Sequence, residues 1–358
     1  MDVTGVTDAD LLSAGKSHNC AVRDGGTVVC WGQGVYGQLG IEFINGSAGG
    51  STTPAEVVDI DDALVVGSGS QHSCVVRDSG NVMCWGSNTW GNLGDGSSSM
   101  STTPVEVVDI DDAVDVAAGA RHSCAVRDGG TVMCWGGGSF SQLGNGSTQN
   151  SPTPVEVTGI TDAEAITVGL LHTCALLGSG SVMCWGFGEY GQLGDGVSED
   201  RATPVTVAGL TDAVAVSAGY RHTCAVRATG AAVCWGYGTQ GQLGQGSTEG
   251  SATPVEVTGV TDAEDVSVGD SHTCAVRATG AAMCWGGNGG RLGDGSIEST
   301  TTPVEVIDLS DAVAVSVGER HSCALRQTGE LRCWGFGGEG ELGDGRPWWP
   351  SPQVVVAP

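Results

Sequence analysis

The stretch HSCAVRDGGTVMCWG occupies residues 122–136: a histidine, a cysteine two residues on, a second cysteine ten further, then Trp-Gly. Nearly the same letters return as HTCAVRATGAAMCWG at 272–286, and five more copies lie elsewhere in the chain. Aligned on the histidine (His18, His72, His122, His172, His222, His272 and His321), the copies stand 54, 50, 50, 50, 50 and 49 residues apart. A fixed period of this size marks a propeller, a solenoid or another array of stacked units. The segment is therefore one structural unit written seven times rather than seven active sites.

One whole unit, from residue 154, reads PVEVTGITDAEAITVGLLHTCALLGSGSVMCWGFGEYGQLGDGVSEDRAT. PVEV, AEAITVG, HTCALL and SVMCWG are four short strand candidates, parted by turns rich in Gly, Asp and Thr. Four strands per unit and seven units predict an all-β fold, a seven-bladed β-propeller of four-stranded antiparallel blades. Nearly continuous apolar strands suit sheets buried on both faces between neighbouring blades. The 61 glycines, with abundant Val, Thr, Ser and Asp, favour strands and tight turns over helices. Seven prolines (Pro54, Pro104, Pro154, Pro204, Pro254, Pro303 and Pro352) open one strand of each copy. The chain starts just past such a strand and ends on PSPQVVVAP. A closing strand at 350–357 is thus expected to join the N-terminal blade and complete a ring, making residues 1–358 one domain.

The chain of 358 residues carries 41 acidic and 14 basic residues, a net charge of −27, with Lys16 its only lysine. Such a charge repels phosphate backbones, so no nucleic-acid partner is expected. No apolar run reaches the roughly 20 residues of a membrane span. The start MDVTGVTDAD lacks the basic and apolar regions of a signal peptide, and a Met followed directly by mid-repeat sequence suggests an engineered start from which an export signal has been removed.

The recurring pattern GxxHTCAV…GxxxCWGxGxxGQLGDG…TPVEV resembles the repeat of the regulator of chromosome condensation family, in a variant with paired cysteines of the bacterial secreted type. The resemblance covers essentially the whole chain and implies a seven-bladed propeller. It implies less about function, since propellers host unrelated activities. The family's namesake is a nuclear nucleotide-exchange factor that binds chromatin, but this chain has no basic arm. A plant member senses ultraviolet-B light through tryptophans two positions before the repeat histidine. Those positions here hold Lys16, Ser70, Ala120, Leu170, Tyr220, Asp270 and Glu319. A secreted β-lactamase inhibitory member caps an enzyme with an aromatic-rich face, the style closest to this sequence.

The fourteen cysteines form seven constant pairs: Cys20/Cys30, Cys74/Cys84, Cys124/Cys134, Cys174/Cys184, Cys224/Cys234, Cys274/Cys284 and Cys323/Cys333. In CAVRDGGTVVC the turn centres on Gly25, which sets Val22 opposite Val28 and Cys20 opposite Cys30. Opposed Cβ atoms lie about 4.5–5.5 Å apart, so a disulfide, at roughly 3.5–4.5 Å, needs only a small pinch of the hairpin. Buried free thiols and a zinc site are the alternatives. Zinc is disfavoured because residues i and i+2 stand about 6.6 Å apart along a strand, and a fourth ligand is missing. Bridges imply an oxidising compartment, hence an extracellular, periplasmic or cell-surface location. Each histidine is expected to sit at a strand end with its ring bonded to a neighbouring backbone group.

In a four-stranded meander, the loops before each histidine and after each Trp-Gly emerge on one face, and the hairpin turns and inter-blade links on the other. The second face is small, acidic and repetitive (DGG, DSG, ATG, DIDDA). The first gathers Tyr36, Trp90, Phe140, Phe187, Tyr190, Tyr220, Tyr237 and Phe336, with Arg121, Arg221, Arg291 and Arg320. Aromatic residues and arginine are the types enriched at binding hot spots. The sequence therefore predicts a non-catalytic, monomeric scaffold that recognises a protein or glycan partner. Tyr36, Trp90, Phe140, Tyr190, Tyr220, Tyr237, Arg121, Arg221 and Arg320 are its candidate contact residues. An enzyme inhibitor, a structural surface protein and a lyase or hydrolase with a site at the central channel are the alternatives. No phosphate loop, nucleophile elbow or metalloprotease helix motif occurs. No cofactor is expected, although Asp95, Asp195, Asp294 and Asp344 of the LGDG turns could contribute to a calcium site. The irregular RPWWPSP, with Trp348 and Trp349, reads as a closure clasp or a second contact patch.

Overall fold

The computed structural model describes residues 1–42 and 49–346. Each copy folds as a meander whose strands pair in sequence order. In the third blade these are Ala113–Ala118, His122–Arg127, Val132–Gly136 and Ser151–Glu156. Six such four-stranded sheets are followed by a seventh built on Ala312–Val317, His321–Arg326 and Leu331–Gly335. The first strands of neighbouring blades pack against one another, and that of blade seven meets that of blade one, so the blades form a ring around a central channel.

The sequence explains the radial order. First strands such as AVDV and AVAV carry mostly small side chains, which suits the crowded channel wall. Second and third strands are buried almost throughout, because each is covered by the next blade. The core is accordingly seven similar inter-blade clusters, each joining the Cys pair and Leu of one blade to the Trp of the next. The proline-bearing strands are outermost. Their prolines stand inside the strand, at an irregularity in pairing with the Trp-Gly segment. An edge position of that kind tolerates the missing N–H.

The hairpin registers place Cys20 opposite Cys30 and Val22 opposite Val28, and the same pairing recurs in every blade. All seven disulfides are formed: Cys20–Cys30, Cys74–Cys84, Cys124–Cys134, Cys174–Cys184, Cys224–Cys234, Cys274–Cys284 and Cys323–Cys333. No cysteine among the described residues is free, so the zinc and free-thiol alternatives fall away. The expected pinch is present. The Cα atoms of Cys84, Cys134, Cys184 and Cys284 each stand 4.1 Å from those of their partners, inside the roughly 4.5 Å of an unbridged pair. These four are fully buried, each between a half-buried methionine (Met83, Met133, Met183, Met283) and a buried tryptophan. They are therefore core groups, and no part of any surface that a partner could touch.

Ring closure shows a feature absent from the sequence reading. Blade one takes all four strands from its own copy, Ala9–Ala14 through Ser51–Glu56. The open edge belongs instead to blade seven, and Met1–Val3 pair there. Met1 and Cys333 exchange backbone hydrogen bonds, Asp2 bridges Arg332, and the Val3 N–H donates to the Leu331 carbonyl. The closing strand expected at 350–357, Pro352 and the Trp348–Trp349 segment lie outside the described residues.

Candidate functional site

The histidines that anchor the alignment are fully buried joints between blades. His18 Nε2 lies 2.8 Å from Ser73 Oγ of the next blade, and that hydroxyl donates to the Gln38 carbonyl. Since the hydroxyl proton is spent on the carbonyl, the imidazole donates from Nε2, which leaves Nδ1 a bare lone pair. The Trp85 indole N–H donates to the same Gln38 carbonyl at 2.9 Å. The arrangement repeats around the ring, as in His122–Thr173 and His222–Thr273. The expected backbone partner is thus replaced by a side-chain hydroxyl, because the ring points sideways into the next blade rather than along its own strand. Burial holds these rings neutral, pushing His18, His122 and His222 down to about 3 and His72, His172 and His321 down to about 4.

Above these joints lies the variable face, whose loops are pinned by two short hydrogen bonds. The residue after each Trp-Gly donates its N–H to the carbonyl of the residue before the histidine, as in Tyr237 to Arg221 and Phe336 to Arg320. This sets the aromatic of one loop beside the arginine of the other. A buried Gln or Asn before Leu-Gly then accepts the N–H two residues upstream. Gln142 Oε1 holds Phe140 at 2.8 Å, Gln192 holds Tyr190 at 3.0 Å and Asn92 Oδ1 holds Trp90 at 3.2 Å. The sequence signal for these pins is the recurring QLG or NLG, whose first residue is the buried amide. The following glycine is required as well: at Gly194 (φ +73°) a Cβ would stand 2.7 Å from Trp235 Nε1 of the next blade.

The rings so placed form a continuous arc across blades two to five. Phe140 packs edge-on against Phe187 with centroids 5.6 Å apart, Phe187 against Tyr190 at 5.8 Å, and Tyr190 against Tyr237 at 5.2 Å. Arg121 lies over Trp90 at 5.1 Å and Phe140 at 6.0 Å. Arg221 lies over Tyr190 at 4.9 Å, Tyr220 at 5.6 Å and Tyr237 at 5.8 Å. Of the candidate contact residues, the structure brings Trp90, Arg121, Phe140, Tyr190, Tyr220, Arg221 and Tyr237 together, with Phe187 as the link between them. Tyr36 on blade one lies outside the arc, and Arg320 on blade seven lies over Phe336 at 5.7 Å.

Around blades six, seven and one this face also carries polar and ionic contacts. Lys16 Nζ stands 3.1 Å from Glu319, Arg320 reaches the same carboxylate at 3.6 Å, and Arg291 donates to Ser271 Oγ. Burial, reinforced by Glu319, raises the carboxyl of Asp270, and burial lowers Arg291. Between the two halves, the channel mouth encloses about 110 Å³ and is lined by the glycines before each histidine and their neighbours. Backbone bonds from blade to blade narrow it, for example Leu170 N–H to the Gly219 carbonyl. A Cβ on Gly169 would sit 2.3 Å from that carbonyl, so the constriction needs glycine.

The opposite face carries an Arg–Asp ion pair in six blades, such as Arg77–Asp62 and Arg127–Asp112, both 2.6 Å. Blade four has Leu177 in place of that arginine. The LGDG carboxylates are turn acceptors. Asp95 accepts from Asn88 and Ser97, Asp294 from Asn288 and Ser296, Asp195 pairs with Arg201 and Asp344 with Arg346. Among the described residues, no group of three or more His, Cys, Asp or Glu side chains is placed to hold a metal ion, and no helix is long and apolar enough to cross a membrane.

Closed ring, repeated blade and pinned variable loops together define a repeat-propeller scaffold with one diversified face. The chain belongs to the RCC1-like domain family, whose model matches residues 5–264. The regulator of chromosome condensation (RCC1) repeat matches 263–290, 312–341 and, in a second form, 280–325. Among curated proteins it is 40% identical over 90 residues to the human probable E3 ubiquitin-protein ligase HERC6, and 33% identical over 95 residues to the Drosophila melanogaster regulator of chromosome condensation. Those stretches cover 24% and 26% of this chain but only 8% and 17% of the relatives. Among solved structures, Saccharomyces cerevisiae Prp20p superposes with a TM-score of 0.77 at 20% identity, over 98% of this chain and 86% of that one.

Proposed function

We propose that this chain is a non-catalytic binding scaffold of an oxidising compartment, exported or displayed at a cell surface, which holds a protein partner on the aromatic arc. The observation that carries this reading is the arc itself: six rings and two arginines from four blades, on loops pinned from below. Aromatic and arginine side chains dominate binding energy where they are preorganised, because little ordering remains to be done on contact. Seven buried disulfides support the compartment, since a reducing cytosol would not maintain them. That family members bind proteins supports the partner class: the solved Prp20 complex holds Kap60, and Prp20p is described with binding to Gsp1p and histones.

The test is retention of partners from the medium or envelope fraction of the source cells on immobilised chain. Trp90→Ala with Tyr190→Ala is the comparison, and melting is followed in parallel. The reading expects one set of proteins to be lost with the double variant while the melting temperature holds. Retention unchanged, capture of glycans rather than proteins, or collapse of the fold on substitution would each contradict it.

A further inference from the structure

Arg121 and Arg221 stand apart from every other basic group in this acidic chain. The hairpin arginines each hold an aspartate, Arg201 holds Asp195, Arg346 holds Asp344, and Lys16 and Arg320 share Glu319. Arg291 donates to Ser271 Oγ and Arg332 to the Asp308 carbonyl. Among the described residues, only Arg121 and Arg221 have neither a carboxylate within 4.0 Å nor a hydrogen bond from the guanidinium. Both are half-buried, and both lie over aromatic rings of the arc. A guanidinium held over a ring face is attracted through its charge and not through its N–H groups, which stay available as the fork that matches a carboxylate.

Resting on the proposed binding role of this face, we infer that its occupant is an acidic peptide segment of the partner. Its carboxylates pair with Arg121 and Arg221, and apolar or aromatic side chains between them cover Phe187 and Tyr190. The two arginines come from blades three and five. The blade between them contributes Phe187, Tyr190 and, at the channel rim, Leu170. The surface thus reads cation, hydrocarbon, cation. A peptide offers carboxylates and apolar side chains in that alternation, whereas an anionic glycan offers no apolar side chains for the middle. The protein's net charge of −27 opposes an acidic partner at long range. Salt screens that repulsion beyond about 8 Å at physiological ionic strength, which leaves the contact groups to decide.

The experiment is selection of random-sequence displayed peptides on the immobilised full chain. The selected peptides are then titrated against Arg121→Gln, Arg221→Gln, Arg221→Lys and the Trp90→Ala/Tyr190→Ala variant, with melting curves for each. The expected result is enrichment of Asp or Glu flanking aliphatic or aromatic residues. Affinity should fall about tenfold or more for each arginine-to-glutamine change. Lysine at 221 should restore only part of it, because the charge returns without the fork. Peptides lost with the aromatic variant but indifferent to both glutamine variants would overturn the acidic occupant and leave the arc as a binding face. Peptides indifferent to all variants, or no enrichment at all, would overturn both.

Discussion

His321 Nε2 lies 2.7 Å from Asn19 Oδ1, a hydrogen bond between residues 302 apart in sequence that joins the last blade to the first. In the other six joints a Ser or Thr hydroxyl accepts from the histidine and donates to a loop carbonyl. Here one amide does both, for Asn19 Nδ2 donates to the Glu341 carbonyl at 2.8 Å. Asn19→Ala strands a buried imidazole N–H, and should cost about 1–3 kcal/mol. Asn19→Ser reinstates the hydroxyl of the other joints and should stay close to the parent. Urea unfolding of the two variants checks this; equal losses would mean that the seam does not depend on the paired donor and acceptor.

The same joints set an acid limit. An unfolded histidine takes up its proton near pH 6.5, whereas these rings resist it until about pH 3 to 4. Between those values the unfolded chain binds more protons, so stability is fully present above pH 6.5 and drains away as pH falls. Each histidine contributes a slope of up to about 1.4 kcal/mol per pH unit. Denaturant unfolding at stepped pH should therefore steepen below pH 6.5 far beyond what one histidine can supply. A flat profile down to pH 4 would refute the neutral, buried state of the rings.

Glu341 gives the opposite sign. It fills the slot that Gln38, Gln142, Gln192 and Gln242 occupy in other blades, is 2% exposed, and accepts the Glu339 N–H. Burial pushes its carboxyl up to about 7, so the stability it contributes is present at low pH and lost as pH rises through 7. Glu341→Gln should match the parent near pH 5 and exceed it at pH 8 by about 1–3 kcal/mol. Thermal melts at the two pH values decide the matter, and an equal gain at both would point to packing rather than charge.

Each disulfide closes a hairpin loop with a sequence separation of 10. Replacing one pair, Cys224→Ala with Cys234→Ala, should cost roughly 2–3 kcal/mol by the loop-entropy argument. The intact protein, denatured without reductant in the presence of an alkylating reagent, should remain unmodified and weigh fourteen hydrogens less than its reduced form. Alkylation of the denatured, unreduced protein would show open bridges and remove the argument for an oxidising compartment.

Fold and site were legible to different depths. The propeller followed from the histidine spacing, and the cysteine register from counting outward from Gly25, because both are local and repeated seven times. The aromatic and arginine residue types on one face were readable too. That Phe187 links Phe140 to Tyr190, or that Arg121 stacks on the tryptophan of the preceding blade, was not. Such contacts depend on how loops lean across blade boundaries, which a single repeat does not encode. The histidine partner was missed for the same reason: Ser73 lies 55 residues from His18. The end of the chain that pairs with Leu331–Gly335 was also hidden, since Met1-Asp2-Val3 is too short to announce itself as a strand.

The most direct test of the central claim is hydrogen exchange of the chain with and without its captured partner. Protection should concentrate in the loops that carry Trp90, Arg121, Phe140, Phe187, Tyr190, Tyr220 and Tyr237, with the hairpin and link face unchanged. Protection centred on the Arg–Asp pairs of that opposite face, or on blades six and seven alone, would contradict it.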